Sequence, residues 1–188
     1  MKKGLIVIIA IVAIIAILGG SIVSSYNGLV EKQANVENAD AQIQVQLQRR
    51  ADLIPNLVNT VKGYAEHEES VYTALADARA RLNSATTPQK YKEANESFAE
   101  AFSRLLVVVE NYPELKSDQN FIALQDQLEG TENRISTARK DYNDAATDYN
   151  ATIKKFPTVI FAGMLGFEKA ELFEAPTEVQ TAPTVDFN

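Results

Sequence analysis

Residues 121–156 read FIALQDQLEGTENRISTARKDYNDAATDYNATIKKF. Steps of three and four residues pick out one stripe: Phe121, Leu124, Leu128, Thr131, Ile135, Ala138, Tyr142, Ala145, Tyr149, Thr152 and Phe156. That alternation marks a helix whose apolar seam is covered by other helices in a bundle or coiled coil. At about 1.5 Å per residue the helix is over 50 Å long. Its face needs a partner of similar length, and the first part of the chain offers the matching pattern.

That partner begins near Tyr26. The same stepping gives Leu29, Gln33, Val36, Asp40, Ile43, Leu47, Arg50, Ile54, Leu57, Val61 and Tyr64. Pro55 lies inside the pattern and lacks an amide hydrogen, so a kink is expected near Asp52–Ile54. Gly63 is the next weak point and the expected turn. Two shorter helices are expected between the long ones. One covers Glu66 to Asn83, with Val71, Tyr72, Leu75, Ala78 and Leu82 on its apolar face. The other runs from Pro88 to about Asn111, with Thr87 as N-cap and Tyr91, Ala94, Phe98, Ala101, Leu105, Val108 and Tyr112 as its seam. The fold class is therefore all-α: an antiparallel helical bundle of about four helices, the first and last long.

Ahead of the bundle stands GLIVIIAIVAIIAILGGSIVS, Gly4 to Ser24, preceded by Lys2 and Lys3. These roughly 20 uncharged residues reach across the ~30 Å hydrocarbon layer of a bilayer as one helix. A retained transmembrane anchor is the leading reading. A cleaved signal peptide is the second, with small residues at Gly19-Gly20-Ser21 for a peptidase. A pilin-like leader is the third, although Ile9 stands where that pattern wants an acid. Lys2 and Lys3 precede the span and only Lys32 follows it closely, which favours the N-terminus inside and the domain outside. The chain thus divides into an anchor (1–24), a bundle domain (25–156), an apolar membrane-proximal segment (157–173) and a flexible tail (174–188). Phe156, Phe161, Met164, Leu165 and Phe167 form an apolar cluster too short to span a bilayer and suited to docking on lipid or beside the anchor.

An antiparallel register that sets Ser24 level with Phe156 also sorts the charges on the seams. Arg50 falls opposite Glu129–Glu132, and Asp40 falls opposite Arg139 and Lys140. Each half-buried charge then meets one of opposite sign, as burial requires.

Composition excludes several functions. The chain has 188 residues, 25 acids against 18 Lys and Arg, and a net charge of −7. A nucleic-acid partner needs a basic face, and the overall charge gives little support for a polybasic lipid surface. The absence of cysteine removes disulfides, thiol catalysis and cysteine metal sites. His67 is the one histidine, and Val71 stands where a zinc-protease helix would place its second. No nucleophile elbow or glycine-rich phosphate loop occurs, and no cofactor is expected. Asn143 and Asn150, seven apart beside tyrosines, suit interhelical hydrogen bonds better than a recognition stripe.

Several segments together carry a resemblance. They are Tyr26-Asn27-Gly28-Leu29-Val30, Gln46 to Val58 (QLQRRADLIPNLV), Val61 to Glu68 (VKGYAEHE), Asn111 to Lys116 (NYPELK), Leu128 to Ile135 (LEGTENRI), Ala138-Arg139, Tyr142-Asn143, Tyr149-Asn150 and Phe156-Pro157. From about residue 5 to 173 the chain closely resembles the LemA family of bacterial membrane proteins. The resemblance implies a single-pass membrane protein with a helical-bundle domain, related to magnetosome-membrane proteins and without an established enzymatic activity. The family has been described with the bundle in the cytoplasm, opposite to the orientation the lysines favour. The expected function is a scaffold or adaptor of the cell envelope, non-catalytic and self-associating. The alternative is an accessory or sensor subunit for another membrane protein, such as a quality-control protease. The expected partners are the bilayer, a second copy or a membrane protein.

Overall fold

The computed structural model describes residues 2–174. The tail expected at 174–188 lies outside them save for Glu174. The described residues form five α-helices: α1 (Lys2–Lys62), α2 (Glu69–Ser84), α3 (Pro88–Val109), α4 (Pro113–Lys116) and α5 (Gln119–Lys154). Two 3₁₀ turns follow, Thr158–Ile160 and Gly163–Leu165. There is no strand among the described residues.

The chain forms two compact units. Unit 1 holds Met1–Gln46 and Asn133–Glu171. Here the inward face of α1 is Leu29, Val36 and Ile43, and that of α5 is Ile135, Ala138, Tyr142, Ala146 and Tyr149. Lys32 pairs with Asp148. Each sits eight residues inward, from Ser24 and from Phe156, so the two stretches run antiparallel in the expected register. The start of α1 is different. Ile6, Ile8, Ile9, Ile11, Val12, Ile14, Ile15 and Ile17 are all more than half exposed. By length and composition this helix can cross a membrane, and none of its most apolar window is buried within the chain. A run of exposed isoleucines in water would be strongly unfavourable, at roughly 25 cal/mol per Å².

Unit 2 holds Leu47–Glu132 and the described residues from Leu172 on. Leu47, Ala51, Ile54, Leu57 and Val61 of α1 are buried here, as are Phe121, Leu124, Leu128 and Thr131 of α5. α2 packs against α3, and its buried face is the expected set of Val71, Tyr72, Leu75, Ala78 and Leu82. The Thr87 side chain accepts the Lys90 amide at 3.3 Å, and Pro88 opens α3 where its missing donor costs nothing.

Several boundaries differ from expectation. α1 continues as one helix through Pro55 to Lys62. The turn after Lys62 extends through Glu68, so α2 starts at Glu69 rather than Glu66. α3 ends at Val109, and Val109 rather than Val108 is buried. Ala146 rather than Ala145 is buried on α5, and the helix stops at Lys154, leaving Phe156 80 % exposed. Both slips are of a single residue: in α5 the predicted seam resumes at the buried Tyr149, and in α3 the slip falls on the last residue of the helix.

Candidate functional site

The most constrained polar group in unit 2 is Arg50. Its position in the apolar stripe of α1 leaves it 2 % exposed. The guanidinium is engaged on every nitrogen. Nε donates to Thr131 Oγ1 at 3.1 Å, Nη1 donates to Asn95 Oδ1, and Nη2 sits 2.6 Å from Glu132 Oε2. The Phe98 ring lies under it, 5.0 Å from the guanidinium carbon. Thr131 Oγ1 in turn donates to Leu128 O at 2.7 Å, which orients the hydroxyl to accept from Arg50. Burial lowers the Arg50 pKa, and the Glu132 carboxylate opposes that shift. The group stays charged, because arginine begins so far above neutrality.

Sequence reasoning placed Glu129 and Glu132 opposite Arg50. The structure puts Glu132 on the guanidinium, while Glu129 lines the adjoining cleft of about 270 Å³. Phe98, Phe102 and Leu128 make that cleft mainly apolar. The Asn95 and Thr131 contacts were not foreseen. The polar spacing of Asn95, one residue beyond the buried Ala94 on α3, was the available signal.

In unit 1, Lys140 pairs with Asp144 on its own helix at 2.9 Å. Asp40 accepts from Gln44 at 2.7 Å and lies near enough to Tyr142 to help raise its phenol pKa, after the larger effect of burial. Asn150 does something not foreseen. Its amide accepts from Ala170 N and donates to Ala170 O, both at 2.9 Å. Tyr142 Oη donates to Glu171 O at 2.9 Å. The two side chains bind the backbone of the returning segment as a strand neighbour would, whereas interhelical bonds were expected of Asn150. Of the expected apolar cluster, Phe156, Met164 and Leu165 are exposed, Phe161 is half-buried and Phe167 is buried.

His67 is exposed in the turn before α2. Among the described residues no group of three His, Cys, Asp or Glu side chains is placed to hold a metal. At the head of α5, Asp118 Oδ1 accepts the amides of Asn120 and Phe121 at 2.8 and 2.9 Å, and its Oδ2 accepts from Tyr64 Oη at 2.9 Å. The Phe121 amide, then the Tyr64 hydroxyl, hold its pKa below the usual carboxylate value. This arrangement caps the start of α5 and ties it to Tyr64 just past the end of α1.

An exposed apolar helix continuous with helical packing around a buried, fully bonded arginine defines a membrane-associated helical-bundle protein. The chain belongs to the LemA family, whose model matches residues 39–187. It is 28 % identical over 194 aligned residues to magnetosome protein MamQ 2 of Paramagnetospirillum magneticum, covering 89 % of this chain and 71 % of the relative. It is 25 % identical to magnetosome protein MamQ of Magnetospirillum gryphiswaldense, covering 88 % and 70 %. It is also 25 % identical to protein LemA of Metamycoplasma hominis, covering 79 % and 68 %.

Proposed function

We propose that the protein is a non-catalytic scaffold of the bacterial cell envelope, held in the cell membrane by the start of α1 and working through self-association. The observation that carries this reading is α1 itself. One helix of 61 residues supplies both the exposed apolar span and a buried face of the helical packing. A helix shared in that way transmits position from the membrane to the packed part without a flexible linker. Two charged side chains of α1 support the same reading: Arg50 pairs with Glu132 and Lys32 with Asp148, both on α5.

Gentle detergent extraction followed by mass measurement tests it. A homo-oligomer of the full chain is the expected result. Recovery of monomer alone overturns self-association, and a stable complex with another membrane protein supports the accessory role instead.

A further inference from the structure

We infer that residues 156–167 form a second membrane contact, lying in the headgroup layer beside the point where α1 leaves the bilayer. The inference rests on the membrane-anchored reading and goes beyond it. All the residues concerned belong to unit 1.

The segment has an inside and an outside. Thr158, Ala162 and Phe167 are buried, while Phe156, Val159, Ile160, Met164 and Leu165 are between 49 % and 87 % exposed. Five large apolar side chains exposed within ten residues are a concentration of the kind that marks an interaction site. Its location identifies the partner. The Phe167 ring meets the Tyr26 ring edge-on, with centroids 5.6 Å apart. Tyr26 stands two residues past the end of the apolar span, about 3 Å along the helix axis. The patch is therefore brought back to the depth at which the span ends, and tyrosine is itself a residue of that layer.

The backbone suits a medium poor in water. Val159 N donates to Lys155 O at 2.9 Å, Ala162 N to Thr158 O at 2.9 Å and Leu165 N to Phe161 O at 3.0 Å. Gly166 takes a φ of 81°, which glycine reaches without strain, and Phe167 N closes back onto Ala162 O at 3.0 Å. Most of the segment's amides are thus satisfied within it, as a lipid environment demands. The charge fits as well. The whole chain is acidic, yet residues 154–169 carry Lys154, Lys155 and Lys169 against Glu168 alone. The three lysines are exposed. Their flexible stems let the ammonium groups reach lipid phosphates while the apolar centre sinks to the acyl boundary.

The cysteine-free chain permits a direct test. Full-length M164C, V45C and I11C, each carrying a polarity-sensitive fluorophore, are reconstituted into phosphatidylcholine–phosphatidylglycerol vesicles. The Met164 probe should brighten several-fold, shift to the blue and be quenched by nitroxide placed near the lipid headgroup. The Val45 probe, about 30 Å farther along α1, should be quenched by aqueous iodide. A Met164 probe as open to iodide as the Val45 probe overturns the inference. So does one that is dry yet untouched by headgroup nitroxide, because a protein surface then covers the patch. The Ile11 probe separates the two readings. If it is lipid-buried while the Met164 probe is wet, the second contact alone fails. If the Ile11 probe is wet, the anchor fails and the second contact with it.

Discussion

Arg50 spends its charge on holding three helices. Its partners come from α3 (Asn95) and α5 (Thr131 and Glu132), and its own backbone is on α1. Truncation leaves those groups facing a cavity, while loss of Glu132 leaves a buried charge with its neutral partners only. Arg50→Ala is expected to destabilise the protein by about 3 kcal/mol or more. Glu132→Gln should cost less, since that side chain is about half exposed and keeps one acceptor. Urea denaturation of the detergent-solubilised protein, followed by circular dichroism, checks both. Asp118 gives a pH dependence with a definite sign. Its folded pKa is lowered, so its contribution to stability is complete above the unfolded aspartate value of about 3.9. It is lost as the pH falls through the lower folded value. D118N should flatten the acid limb of a stability–pH profile below about pH 4, and Y64F should flatten it partly. The seam pattern exposed Arg50 as a residue needing a partner. It could not name Asn95, which comes from a separate helix whose relative rotation is a matter of tertiary packing.

At the scale of elements, the apolar face of α2 was legible residue for residue, because over 16 residues a period of 3.6 barely separates from a three-four reading. On the longer helices single positions slip: Ala146 on the 36-residue α5 and Val109 at the end of α3 are buried in place of their predicted neighbours. Pro55 lies inside α1, which continues past it to Lys62. The segment after α5 was seen as apolar, but its division into a buried Phe167 and an exposed Phe156 was not visible, since 3₁₀ turns carry no long period. Asn150 makes a testable element of this segment. Asn150→Ala removes both bonds to Ala170 and leaves its amide open to solvent. Hydrogen exchange at Ala170 should accelerate by about tenfold, the equivalent of one bond of ~1.4 kcal/mol, while exchange in α2 and α3 stays unchanged. Equal acceleration in α2 and α3 would mean that Asn150 supports global folding instead.

At the scale of the whole molecule the remaining question is which side of the membrane the packed helices occupy. Lys2 and Lys3 before the span, against Lys32 after it, favour a cytoplasmic N-terminus. Protease added to sealed cells should then digest the helices beyond residue 24. Protection until the membrane is opened would assign them to the cytoplasm. Much about this protein follows from the sequence by itself: a membrane-length apolar helix, long amphipathic helices, an antiparallel register and the need of Arg50 for an acid. These are properties of local period and charge, written within a few turns of chain. Only the tertiary structure decided that Asn150 and Tyr142 bind the backbone of residues 170 and 171. The same holds for Phe167 turning in against Tyr26 while Met164 turns out. Those choices join residues far apart in sequence through non-periodic chain, where no local pattern records which partner will be met.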